Sequence, residues 1–269
     1  PGISKMVEMG GNLYFTADDG VHGNELWKTD GTIGGTSMVI DLSPAMCPTC
    51  QNMDSDIGEL VAGDSKLFFT SPVQSIGVPD ITRELFVSDG TNSGTQLVMD
   101  IFDCPLSSGD ITFDYDGVNS LVVLPGSSFG TAGMDRVVFS AFHCSLTNYV
   151  CFGEEPWISD GTLSGTRSMA DIRNGDTPMF TQDGQGVLID DVGSQPRNFF
   201  QSGDMVYFFA DDNNSGRELW KIDTTRASSG ATLVKDINSG PGDSVNIDTE
   251  TEYVNMNGNI LFSADNNNN

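Results

Sequence analysis

The chain is 269 residues long and strongly acidic: 38 Asp and Glu stand against 12 Lys and Arg, a formal net charge of −26. That density of uncompensated negative charge excludes counterion-release binding to nucleic-acid phosphates and attraction to anionic membrane surfaces. No apolar run reaches the roughly 18 residues that a membrane-spanning helix needs, and the opening at Pro1 carries neither Met nor a leader pattern, which is the expectation for a mature, soluble chain or a piece of one.

From Lys5 onward the apolar period is two rather than 3.6, which predicts strands. The first unit reads as a strand over Lys5 to Met9, a Gly10-Gly11 turn, and further strands over Asn12 to Ala17, Glu25 to Asp30 and Ser37 to Leu42. Between the last two, DGTIGGT supplies turn chemistry: the Asp30 carboxylate can accept from backbone N–H groups two residues on, and Gly31 and Gly35 accept positive φ. The same order then returns. ELWKTDGTIGGTSMVIDL from Glu25 is followed by ELFVSDGTNSGTQLVMDI from Glu84, EPWISDGTLSGTRSMADI from Glu155 and ELWKIDTTRASSGATLVKDI from Glu218, at separations of 59, 71 and 63 residues. Upstream of each lies a matching piece, NLYFTAD, KLFFTSP, RVVFSAF and MVYFFAD, and a fifth, NILFSAD at Asn259, has no ELW segment after it.

Four antiparallel strands per unit with no helical segment predict an all-β fold, a β-propeller-like repeat array of four-stranded blades. The alternatives are another β-solenoid or tandem β-sheet repeats; a string of sandwiches fits less well, since one sandwich needs about seven strands. The expectation is one repeat domain over 1–269, with blades at about 4–42, 58–103, 119–173 and 196–238 and a partial fifth at 250–265. Three outcomes are expected for its open strand edge: the sequence is a fragment of a longer repeat array, the N-terminal region completes the blade by circular closure, or a neighbouring molecule does.

A residue that recurs in every blade is explained first by the blade. Glu25, Glu84, Glu155 and Glu218 therefore read as strand-edge hydrogen-bond acceptors, and Asp30, Asp89, Asp160 and Asp223 as turn formers. Asp41, Asp100, Asp171 and Asp236 close the fourth strands. Trp27, Phe86, Trp157 and Trp220 read as packing between neighbouring blades, with an exposed carbohydrate-stacking row as the alternative. The insertions, 43–57, 72–82, 103–118, 142–153 and 173–195, all belong to one propeller face, which is where a local function is expected.

The five cysteines lie in those insertions. Cys144 and Cys151 suit a hairpin-closing disulfide, one of Cys47 and Cys50 can bridge to Cys104, and one thiol is left over. CPTC lacks the second close pair of a zinc ribbon and the helix of a redox motif. Acidic loops at Asp18 and Asp19, Asp114 and Asp116, and Asp211 and Asp212 are candidates for calcium, read alternatively as solvated Asx-turns; none has EF-hand spacing. Asn213-Asn214-Ser215 is a glycosylation sequon.

The quoted segments resemble the ELWxxDGT repeat, an acidic repeat of secreted and surface proteins of bacteria and some algae, across all four units. Departures are Phe86 for Trp in the second copy, Pro156 for Leu in the third, and Asp223-Thr224-Thr225 in the fourth. The resemblance implies an extracellular or cell-surface location. The chain carries no G-x-S-x-G elbow, Walker loop or HExxH, and only two histidines, His22 and His143, are present to serve as bases. The resulting expectation is a non-catalytic structural or adhesive surface protein, a subunit or segment of an extracellular filament that self-associates or meets other surface proteins and glycans. The alternative is a carbohydrate-binding or carbohydrate-cleaving propeller.

Overall fold

The computed structural model describes residues 4–42, 54–74, 81–99, 101, 117–129, 134–145, 150–173, 177–178, 193–225, 230–245, 253–256 and 259–266. The fold is all-β and β-propeller-like. Blade one has the order β1 (Ser4–Met9), β2 (Asn12–Asp18), β3 (Asn24–Thr29), β4 (Ser37–Ile40), and blade two the order β5 (Leu60–Ala62), β6 (Leu67–Gln74), β7 (Ile81–Ser88), β8 (Gln96–Met99). Blade three runs from β9 (Asn119–Leu124) through β10 (Arg136–Ser145) and β11 (Val150–Ser159) to β12 (Arg167–Ser168), and β13 (Thr177–Pro178) adds a short pairing to β11. Blade four contains β14 (Arg197–Ser202), β15 (Met205–Asp211), β16 (Arg217–Asp223) and β17 (Ala231–Lys235), while β18 (Tyr253–Met256) and β19 (Asn259–Phe262) form a two-stranded sheet. The one helical element among the described residues is a 3-10 turn at Gly126–Phe129.

Two compact units divide the chain, residues 1–137 with 159–166, and residues 138–158 with 167–269. In the first, Tyr14, Leu26 and Leu42 of blade one share a core with Leu60, Phe69 and Phe86 of blade two. Phe69 and Phe86 are opposite each other across β6 and β7 and stack at 5.4 Å. In the second, Phe200, Phe209, Leu219 and Val245 form the core of blade four, and Tyr253 and Phe262 of the small sheet pack against it, Tyr253 stacking on Phe200 at 4.0 Å. Each buried Phe or Leu contributes about 1.5–3 kcal/mol of transfer free energy, so these layers are what makes the strands persist.

The D-G-T turns are closed locally. Asp30, Asp89, Asp160 and Asp223 each accept from the backbone N–H two residues on, at 2.9 Å, and from the same Thr hydroxyl at 2.6–2.7 Å. The middle glycine answers a second demand. Gly90 and Gly161 have φ of +84° and +85°, and a Cβ on them would run into the Tyr14 ring and the Val87 side chain. Two lysines tie blades to these turns, Lys28 Nζ donating to the Gly90 carbonyl at 3.0 Å and Lys66 Nζ to the Asp160 carbonyl at 2.6 Å.

Candidate functional site

The recurring glutamates sit on interior strands and are buried, not placed at strand edges. Glu25, Glu84 and Glu155 accept from the backbone N–H of the residue 17 positions on, Leu42, Ile101 and Ile172, at 3.0–3.1 Å. Glu218 does the same to Asn238, 20 positions on, because its turn is longer. Two of the carboxylates also reach the segment that leads into the following blade: Ser194 N–H and Oγ donate to Glu155 at 3.0 and 2.7 Å, and Ser244 Oγ donates to Glu218 at 2.6 Å, whereas Ser55 Oγ donates to the Asn24 carbonyl and Glu25 Oε1 has no hydrogen-bond partner among the described residues. Glu155 and Glu218 are thus clasps between one blade's third strand and the next blade's entry. The sequence reading missed these two serines; the signal was a Ser preceded by Gly or Asp at 193–194 and 243–244.

Around Glu155 the clasp opens into a cavity. β10 and β11 are ten residues long against seven for β15 and β16, and the extra length carries His143 and Phe152 beyond the clasp. A cavity of about 200 Å³ is lined by His143, Phe152, Glu155, Trp157, Ser168 and Asp171. Glu155 and Trp157 share a face because strand side chains alternate. His143 stacks on Phe152 at 5.7 Å with the planes 7° apart, and meets the edge of Trp157 at 5.2 Å. Trp157 packs its other side against Phe139 of its own sheet. Its Nε1 is buried with no hydrogen-bond partner, whereas the equivalent Trp220 Nε1 donates to the Ala210 carbonyl at 3.1 Å. Trp27 Nε1 is unpartnered too.

Burial pushes Glu155 up to about 7, against hydrogen bonds from Ser194, Ile172 and Arg173 that pull it down, and Glu25 is likewise pushed up to about 7 by burial. A raised carboxyl pKa means that the folded state holds the proton more tightly, so its contribution is fully present below about 4.5 and is lost as pH rises through about 7. Asp19, Asp30, Asp89 and Asp135 have lowered values, and their contribution is lost only as pH falls below 3.8. The melting temperature is therefore expected to rise on acidification from pH 8 to pH 5. Repulsion within a chain of net charge −26 acts the same way but is screened in about 1 M salt, while the buried glutamates are not. Scanning calorimetry at high salt that found equal melting temperatures at the two pH values would contradict the glutamate account.

Beside the clasp lies a second buried cluster, absent from the repeat pattern. Glu154 accepts a bidentate pair from Arg197 at 2.6 and 2.8 Å and a hydroxyl from Ser140 at 2.7 Å. Elsewhere the acidic loops are Asx-turns. Asp18 and Asp19 accept from Gly20, Val21 and His22 N–H groups, Asp211 and Asp212 from Asn213, Asn214 and Ser215, and among the described residues no three His, Cys, Asp or Glu side chains gather as a metal site. Asn213 is exposed at its loop tip with φ +65°. Asp100, Asp114, Asp116, Cys47, Cys50 and Cys104 lie outside the described residues, as do the side chains of Cys144 and Cys151 on β10 and β11.

No family model matches the sequence, and no curated protein matches it. Solved structures similar to it include a puromycin hydrolase mutant (13% identity, TM-score 0.43, 94% of this chain and 31% of that one) and TolB from Acinetobacter baumannii (8%, 0.41, 98% and 51%). A family 43 endo-arabinanase from Bacillus licheniformis is 13% identical with a TM-score of 0.34, over 96% of this chain and 91% of that one. The chain spans only about a third and a half of the first two. Such distant likeness transfers no activity. The sequence expectation of a structural filament subunit is corrected on one point: several of the similar structures are glycoside hydrolases, which favours the carbohydrate-directed alternative over it.

Proposed function

We propose that the chain is a carbohydrate-binding β-propeller whose sugar site is the third-blade cavity. The observation that carries this reading is the wall of three rings, His143, Phe152 and Trp157, around a pocket whose polar lining is Ser168, Glu155 and Asp171. Aromatic walls with a few converging polar groups are what a sugar needs: apolar C–H faces stack on rings while hydroxyls take the hydrogen bonds. At about 200 Å³ the cavity is below the roughly 300–1,000 Å³ of drug-sized pockets, so it holds a single ring.

Binding rather than cleavage follows from the carboxyl chemistry. A glycosidase needs two carboxyl groups free to exchange protons or attack. Glu155 accepts four hydrogen bonds, from Ile172, Arg173 and Ser194 N–H groups and from Ser194 Oγ, so its lone pairs are committed to the clasp.

A single ring of about a dozen heavy atoms at about 0.3 kcal/mol each corresponds to millimolar affinity. NMR titration of the intact chain with monosaccharides is expected to give millimolar Kd values that Phe152→Ala, which removes one aromatic wall of the cavity, weakens several-fold. No saturable shift with any sugar would sink the reading, and release of reducing ends from arabinan or a related glycan would replace it with the cleaving one.

A further inference from the structure

We propose that the outer edge of β19 is a docking site for a separate polypeptide bearing an unpaired E-L-W-x-x-D-G-T hairpin, the third-and-fourth-strand piece of this same repeat, which joins by strand addition. Asn259–Phe262, followed by Ser263, Ala264 and Asp265, repeats NLYFTAD of β2 and MVYFFAD of β15. In each of the four blades that strand lies between an inner strand and the strand that carries the repeated glutamate. β19 instead pairs with β18 alone, and no strand lies on its other side among the described residues.

The small sheet is seated where a blade begins. Asp211 N–H at the end of β15 donates to the Ser194 carbonyl at 3.0 Å, and its counterpart after β19, Asp265 N–H, donates to the Ser244 carbonyl at 2.8 Å. Ser194 and Ser244 are the two clasp serines. Phe262 meets Phe209 of the fourth blade's core edge-on at 5.4 Å. β19 is therefore held as a second strand is held, and its bare edge presents backbone N–H and C=O groups on the side from which a third strand comes. The other blades set the register of the occupant. Ala17 lies opposite Glu25 and Phe15 opposite Trp27, Ala210 opposite Glu218 and Phe208 opposite Trp220, Ser71 opposite Glu84 and Phe69 opposite Phe86. An incoming Glu is thus set at Ala264 and an incoming Trp at Phe262. A folded second copy has no such strand to give, since β3, β7, β11 and β16 each already have a neighbour on both sides.

The test adds a peptide with the sequence of residues 24–42 to the intact chain; it holds both Glu25 and Leu42, whose N–H that glutamate accepts. Calorimetric titration is expected to give saturable one-to-one binding with a micromolar Kd, a higher melting temperature, and new amide-exchange protection at Asn259–Phe262. Trp27→Ala in the peptide should weaken binding about tenfold, because the ring opposite Phe262 is lost. The peptide carries three acids and one lysine and joins a chain of net charge −26, so affinity should rise with salt. Equal binding of a peptide with the same residues in scrambled order, binding that salt abolishes, or protection elsewhere overturns the proposal. So does a chain that is dimeric on its own with Asn259–Phe262 already protected, because a second copy then holds the edge. A chain extended at Asn269 by residues 24–42 repeats the test without a free peptide, and an unchanged melting temperature and unchanged exchange at β19 would overturn it as well.

Discussion

Replacing Asp135 by Ala is expected to destabilise the unit that contains it by about 4 kcal/mol, the largest effect of any single substitution considered. The Asp135 carboxylate is fully buried and accepts five hydrogen bonds: backbone N–H groups of Asp64, Ser65, Lys66 and Gly126 at 2.7–3.0 Å, and Ser65 Oγ at 3.0 Å. It pins the turn between β5 and β6 to the start of the 3-10 turn, and Asp64 answers by accepting from Ser127 N and Oγ. Alanine leaves four backbone donors without their acceptor, at about 1–3 kcal/mol for each that water cannot reach. Asp135→Asn keeps the shape but turns an NH₂ group toward N–H donors, and about 2–3 kcal/mol is expected.

Acid supplies an internal control. Burial pushes the Asp135 carboxyl up, and the hydrogen bonds from Gly126, Ser65 and Asp64 together outweigh it, so the net value is lowered. A lowered carboxyl pKa contributes stability that is present above 3.8 and is lost as pH falls through the folded value. The deficit of Asp135→Asn relative to wild type should therefore shrink in strong acid. Urea unfolding at pH 7 that placed Asp135→Ala within 0.5 kcal/mol of wild type would refute the account.

Why Asp30 was legible in the sequence and Asp135 was not is a matter of distance along the chain. Asp30 accepts from Thr32, two residues away, so its role is written in the D-G-T string and is repeated at Asp89 and Asp160. Asp135 takes three of its backbone donors from 69 to 71 residues away, and the Asp that precedes the matching strand in the fourth unit, Asp204, shows no such set of donors among the bonds seen. The glutamates fall between these cases. Repetition marked Glu25, Glu84, Glu155 and Glu218 as parts of the blade, but an acceptor's partner across a variable insertion, Ser194 for Glu155, has no fixed spacing to search for. The cavity was least legible. Trp157 carries the same letter as Trp27 and Trp220, and it differs because longer strands place His143 against it and Phe152 on the far side of His143. That is a property of the hairpin, which no single position encodes.

Arg197 supports the second large prediction: Arg197→Ala should cost about 3 kcal/mol, and most of that should return when Glu154 is removed as well. The Glu154 side chain is 8% exposed, and Arg197 covers it with two parallel N–H donors. Removing the cation strands a carboxylate in a medium that solvates it poorly, a loss of about 3–5 kcal/mol for fully buried pairs, placed here at the lower end because Arg197 is 29% exposed. Removing both charges carries no such penalty, since a buried ion pair replaced by apolar groups of similar volume is often neutral or better. Arg197→Met with Glu154→Leu should thus lie closer to wild type than Arg197→Ala does. Ser140, whose hydroxyl donates to Glu154, would keep a polar neighbour in the single variant and sets the floor of the effect. A double-mutant cycle by denaturant unfolding decides it: additive losses would mean that the two side chains act independently, and that the short contacts between them contribute nothing to the fold.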